Sequence, residues 1–183
     1  LYTYELKSEL WNLESSFQAE DSNAWDELGR SLDLQGDLLV AGAPGDNGSV
    51  PAAGSAYIFR KGLAGWSMEA KVFNQSPSSI DKFGLSVALD NGVLAVGAPM
   101  EYYNGAGGAV LFFNEDAGAW TFDSKVQQAN SAGGNMFGFG MDLDGDVFVA
   151  GTPYKTGWFG GAGNAVVFRK LNGIWTEAET LPG

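Results

Sequence analysis

Residues 83–99 read FGLSVALDNGVLAVGAP. Two short apolar runs meet across a polar break, with Phe-Gly before them and Gly-Ala-Pro after. The stretch is too short to be a domain and too patterned to be chance. Residues 28–44 read LGRSLDLQGDLLVAGAP, and residues 137–153 read FGFGMDLDGDVFVAGTP. The three copies stand 55 and 54 residues apart. Repetition at a fixed period of this size is the first thing to weigh in a fold.

The surrounding sequence keeps the same register. Trp11, Trp66, Trp120 and Trp175 recur at 55, 54 and 55 residues. Ahead of each lies an apolar run ending in an aromatic: LYTY, AYIF, AVLF and AVVF. Each repeat has room for four short strands. The first is GRSLDL, GLSVAL or GFGMDL, and the second LLVAGAP, VLAVGAP or VFVAGTP. The third is SAYIFRK, GAVLFFN or NAVVFRK, and the fourth carries the tryptophan. Strands one, three and four show β-forming residues with partial alternation. Strand two is nearly all small and apolar, as expected of a strand covered on both faces. No segment shows the 3.6-residue period of an amphipathic helix.

Four-stranded units at about 50 residues are the mark of β-propeller blades. The expected fold is all-β, with units at 21–75, 76–129 and 130–183 and an outer half-blade at 1–20. Three and a half blades do not close a ring of the usual 4–8. The expectation is a processed or partial chain, completed by further blades or by a protein partner.

Composition narrows the function. Of 183 residues, 45% are hydrophobic, enough for a sizeable core. The net charge of −12, from 22 acids and 10 bases, argues against nucleic acid and against anionic membranes. No apolar run approaches the roughly 20 residues of a membrane-spanning helix. With neither Cys nor His, disulfides, thiolate chemistry, His-based triads and the usual zinc ligands are excluded.

The repeat resembles the FG-GAP repeat, which builds the seven-bladed propellers of integrin α subunits and of many secreted or surface proteins. Phe83-Gly84 and Phe137-Gly138 match its FG; Gly42-Ala43-Pro44 and Gly97-Ala98-Pro99 match its GAP. Leu28-Gly29 and Gly151-Thr152-Pro153 each depart by one residue. Kelch repeats have a similar period and a late tryptophan, but expect a diglycine after strand two. The resemblance implies a non-enzymatic module for adhesion, protein binding or scaffolding, in an extracellular or cell-surface setting.

Three candidate sites follow. The first is Asp142, Asp144 and Asp146. Calcium takes 6–8 oxygens from a loop that wraps it, and integrin-type blades supply one between strands one and two. Here only two residues separate those strands, read as Gln35-Gly36, Asp90-Asn91 and Asp144-Gly145. That suits a tight hairpin turn; calcium at the three aspartates stays as the alternative. The second site is the loops between strands two and three, on the rim that contacts partners in the integrin relatives. Tyr102, Tyr103, Tyr154, Trp158 and Phe159 stand there in Gly-rich surroundings, with Asp46 as a polar contact. Aromatics of this kind anchor protein partners or stack on sugars, so a glycan-binding propeller is the alternative function; the other reading of these side chains is packing, folded down over the blade tops or against further blades. The third, a carboxylate pair for hydrolysis, has no acid at a matched inward position to support it. The glycines from 157 to 163 lack the Lys-[Ser/Thr] of a phosphate-binding loop.

Overall fold

The computed structural model describes residues 1–47, 50–103, 106–129, 134–154 and 161–183, apart from the side chains of residues 102, 103 and 106. Every regular element in them is a strand. β1 (Tyr2–Lys7) and β2 (Leu10–Ser16) form a two-stranded antiparallel sheet. Three four-stranded sheets follow, each a meander in chain order. They are β3 to β6 (Ser31–Gln35, Leu38–Ala43, Ser55–Gly62, Gly65–Val72), then β7 to β10 (Val87–Asp90, Val93–Tyr103, Ala106–Asp116, Ala119–Val126). The last holds β11 to β14 (Met141–Asp144, Val147–Thr152, Asn164–Leu171, Ile174–Pro182). The first strands of successive sheets, β3, β7 and β11, lie against one another. This is the stacked-blade architecture of a β-propeller, with strand one innermost.

Each sheet is buried by its neighbours, and strand alternation decides which way a side chain points. In β4, Leu38 and Val40 pack forward onto Val87, Leu89, Leu94 and Val96 of the next sheet. Leu39, Ala41 and Ala43 pack backward, toward Phe17, Leu28 and Ala19. The β7–β10 sheet repeats this: Leu111 and Phe113 face back, and Val110 and Phe112 face forward onto Phe148, Val166 and Phe168. Phe112 stacks on Trp175 with ring centroids 4.8 Å apart. β4 is buried along its whole length, as its small apolar sequence requires. β12 alternates between buried and half-buried, because among the described residues only its backward face is covered.

The repeated Phe-Gly and Gly-Ala-Pro residues clasp the blades together. Within a blade, the glycine N–H of the first motif donates to the glycine carbonyl of the second: Gly29 to Gly42 (2.9 Å), Gly84 to Gly97 (2.9 Å), Gly138 to Gly151 (3.1 Å). Between blades, a Cβ on Gly42 would overlap the Gly84 carbonyl, and one on Gly97 the Gly138 carbonyl. The same carbonyls accept hydroxyls from the preceding blade, Ser31 to Gly84 at 2.9 Å and Ser86 to Gly138 at 2.6 Å. Gly84 and Gly138 also hold φ of 89° and 84°, which side-chain-bearing residues adopt at a cost.

The hairpin turns between strands one and two sit one residue later than the sequence suggests. Gln35 pairs with Leu38, Asp90 with Val93, and Asp144 with Val147. The central pairs are therefore Gly36-Asp37, Asn91-Gly92 and Gly145-Asp146. Asn91 and Gly92 both have positive φ, as a type I′ turn needs. Gly36 (60°) and Gly145 (55°) take positive φ at the first central position, where a type II′ turn wants glycine. The glycine fixes the turn, and Asp144 becomes a strand residue.

Candidate functional rim

At one end of the blades, the connection entering strand one meets the loop leaving strand two. Backbone bonds join them in every full blade: Gly45 N–H to the Asp26 carbonyl (3.0 Å), Met100 to Asp81 (3.2 Å), Tyr154 to Asn135 (3.4 Å). The acids at 26 and 81 also fold the connection back on itself, accepting from the Asn23 N–H and, at 2.6 Å, the Ser78 N–H.

This tight turn forces a left-handed backbone three residues before each Leu-Gly or Phe-Gly pair. The residues there are Trp25 (φ 77°), Ile80 (φ 67°) and Gly134 (φ 93°). Glycine adopts this conformation without strain; a β-branched isoleucine does so at a cost on the order of 1–2 kcal/mol. Yet Trp25 is 89% exposed and Ile80 61% exposed. Two large apolar side chains thus occupy a strained position and pack little of their surface. Sequence reading passed over both, since neither lies between strands two and three. The glycine at 134 in their register is the signal that marks the position.

The residues singled out from the sequence fall differently. Asp46 is buried within the rim. Its carboxylate accepts from Ser55 Oγ at 2.7 Å and from the Tyr57 hydroxyl at 2.9 Å, and pairs with Lys71 Nζ at 2.6 Å. Lys71 also pairs with Asp21. Burial alone would pull the Lys71 ammonium down, but its bonds to Asp21 and Asp46 hold it above the ordinary lysine value. Asp46 therefore braces the loop from inside. Tyr154 is half-buried at the start of its loop. Tyr102 and Tyr103 end β8, and their side chains lie outside the described structure, as do Trp158 and Phe159 altogether.

Asp81 and Glu101 are buried one repeat on. Asn74 Nδ2 donates to both, at 3.1 and 3.0 Å, and Lys125 pairs with Glu101. Burial first, then the Glu101 carboxylate, push Asp81 above the usual carboxylate range, against the donors Ser78 and Asn74. This pair is roofed by protein rather than open to a substrate.

The aspartates of residues 142–146 occupy positions with a defined use elsewhere. Asp142 stands in register with Asp33, whose carboxylate accepts from the Leu89 N–H of the next blade at 2.7 Å. Asp144 matches Gln35 and Asp90. Gln35 accepts from the Asn91 N–H (2.7 Å) and Asp90 from the Gly145 N–H (2.8 Å), each one blade on. The Gly145 N–H and Gln35 hold Asp90 below the usual carboxylate range. Asp142 itself accepts from the Leu143 N–H. Among the described residues, no three acidic side chains converge as a metal site.

The outer edge adds a second clasp. Trp66 Nε1 donates to Glu14 at 3.3 Å and Trp120 Nε1 to Glu69 at 2.9 Å, each acid on the preceding blade. Glu69 is held below the usual carboxylate range chiefly by Arg60.

Comparison with known proteins agrees with this geometry. No curated protein sequence matches the chain. The crystal structure of Saccharomyces cerevisiae Sqt1 is similar in fold, with a TM-score of 0.53 at 12% identity; the match covers 87% of this chain and 36% of that one. The sequence profile of the FG-GAP repeat matches residues 11–59 and 66–113. Those spans carry the clasping glycines of two successive blades, and the chain belongs to the FG-GAP repeat family.

Proposed function

We propose that this propeller segment is a non-enzymatic protein-interaction module that presents its rim to a partner, in adhesion or as a scaffold within a larger assembly. The observation that carries the reading is the pair Trp25 and Ile80. Each is apolar, exposed and held on left-handed backbone at the point where two loops meet. A position that served folding alone would favour glycine, as at Gly134. Large apolar side chains displayed on a rigid support fit the anchor role that dominates protein interfaces. Tyr102, Tyr103, Tyr154, Trp158 and Phe159 are proposed to extend this surface. The acidic surface favours a basic or neutral partner. The family resemblance supports an extracellular or cell-surface setting as part of this proposal.

The test is the double variant Trp25→Gly, Ile80→Gly, screened beside the unaltered chain against a panel of secreted and surface proteins. A partner held by the unaltered chain and lost by the variant, with no fall in melting temperature, is the expected result. A fall of several degrees would mean that the two residues serve the fold. The exposed indole of Trp25 also suits sugar stacking; binding on a glycan array that vanishes in the same variant would replace the protein reading with a lectin one.

A further inference from the structure

Two stretches of the chain carry the acceptor pattern for an N-linked sugar: asparagine, any residue but proline, then serine or threonine. They are Asn47-Gly48-Ser49 and Asn74-Gln75-Ser76. The fold treats the two asparagines in opposite ways. Asn74 is only 4% exposed, and its Nδ2 donates to Asp81 and Glu101 at 3.1 and 3.0 Å. A sugar on that nitrogen would replace one of its two hydrogens and would need space inside the rim. A chain modified there would be barred from this fold.

Asn47 is exposed. Its Oδ1 accepts from the Ala52 N–H at 3.0 Å, and its Nδ2 donates to no group among the described residues. An N-linked sugar takes one hydrogen from Nδ2 and leaves Oδ1 unaltered, so the bond to Ala52 survives. The residue before it is fixed. The Asp46 N–H donates to the Ala43 carbonyl at 3.1 Å, and the Asp46 carbonyl accepts from Gly54 at 2.9 Å. Its carboxylate is held by Ser55 and Tyr57. Asn47 thus stands at the outer end of a braced turn. The repeat gives no structural reason for asparagine here. Three residues after Gly-Ala-Pro or Gly-Thr-Pro, the other two blades carry Tyr102 and Thr156.

We propose that Asn47 is an N-glycosylation site on the rim. The proposal rests on the extracellular or cell-surface setting given above. The co-reactant is an oligosaccharide carried on a polyprenol diphosphate. Nδ2 bonds to the anomeric carbon of the first sugar, and the bond from that carbon to the diphosphate oxygen breaks. The lipid diphosphate leaves with the electron pair, and Nδ2 gives up one proton. The Gly45 N–H bonds to the Asp26 carbonyl at 3.0 Å, so the sugar sits on the loop tied to the connection that carries Trp25. It adds bulk and a polar cover to that side of the rim.

The test is secretion of the chain from cultured eukaryotic cells behind a heterologous signal peptide. The secreted protein should carry one oligosaccharide that peptide N-glycosidase releases. Peptide mapping after release in heavy-oxygen water should find labelled aspartic acid at position 47 and unchanged asparagine at position 74. Asn47→Gln and Ser49→Ala should each abolish the modification, and Ser49→Thr should keep it. The released and unreleased forms should melt together, because the bond to Ala52 is common to both. An unmodified Asn47, in the medium or in the cell, would overturn the proposal. So would a sugar that survives S49A, or one found on Asn74 of the secreted, folded chain. Those failures leave the rim reading intact, since partner binding through Trp25 and Ile80 is measured separately. Loss of that binding in turn leaves the mass of the secreted chain unchanged.

Discussion

β3 and β7 are the same strand in two settings. Both are innermost, both carry apolar residues at matched positions, and both begin a four-stranded meander. β7 has a blade behind it, and its Val87 and Leu89 form part of a core. Among the described residues, β3 has only the outer pair β1–β2 behind it, and its Leu32 and Leu34 are open. The difference lies in the neighbour rather than in the strand. In a stacked fold of this kind a residue's energy depends on whether the adjoining repeat is in place. Matched substitutions at covered and uncovered positions therefore separate the contribution of the interface from that of the sequence.

The largest expected contrast is between glycines. A Cβ on Gly97 would overlap the Gly138 carbonyl, whereas at Gly151 the nearest atom stands at 3.6 Å. Gly97→Ala should cost about 4 kcal/mol or prevent folding, since backbone cannot yield as a side chain does. Gly151→Ala should leave the melting temperature within about 1 °C. Equal effects in thermal denaturation would break the clasp account. Next come the leucines. Leu89→Ala should cost about 3 kcal/mol, a fall of roughly 6–12 °C, whereas Leu34→Ala should cost under about 0.5 kcal/mol.

The interblade carboxylates give a smaller contrast. Asp90 holds the Gly145 N–H, and Asp144 stands in the same register beyond the last described interface. Asp90→Ala should cost about 1 kcal/mol at pH 7, reduced by solvent from the full value of a charge-assisted bond. Asp144→Ala should cost nothing measurable. Because the native fold lowers the Asp90 pKa, its stabilisation is present above the unfolded carboxylate value and fades as pH falls through the folded one. The gap between wild type and D90A should close in acid. Calcium or EDTA should leave both proteins unmoved; a calcium-dependent rise of several degrees would restore the ion site at Asp142, Asp144 and Asp146.

The smallest effect has the opposite sign. Asp81 is buried with a raised pKa, so its ionised form weakens the fold at neutral pH. Its stabilising share is complete below the unfolded carboxylate value and lost as pH rises through the folded one. Asp81→Asn should raise the melting temperature at pH 7 by on the order of 2 °C. That advantage should vanish below about pH 4, where both side chains are neutral. Asn135 already fills this position in the last blade.

The repeat was legible because four unlike markers keep one register, and each marker has a steric or hydrogen-bonding reason. The clasping glycines could be found in the sequence but not explained by it, since Gly42 meets Gly84 only after the blades stack. The turns lie one residue beyond the position that Asp-Gly, a good turn pair in isolation, suggests, because the pairing of Leu34 with Leu39 decides the register. The rim was read less well. Asp46 looked like a surface contact because Tyr57 and Lys71, which enclose it, come from two later strands. Trp25 and Ile80 went unmarked because their distinguishing feature is a backbone angle. Composition carries no trace of that angle, and only the glycine at 134 in the same register hints at it.

Amide hydrogen exchange at three turn positions tests the central claim, that each blade is completed by groups of the one before it. The Asn91 and Gly145 N–H groups are bonded across a blade interface, and among the described residues the Gly36 N–H is not. Resolved by NMR, exchange at Gly36 should be at least tenfold faster than at Asn91 and Gly145. Equal protection of all three in the isolated chain would contradict the account.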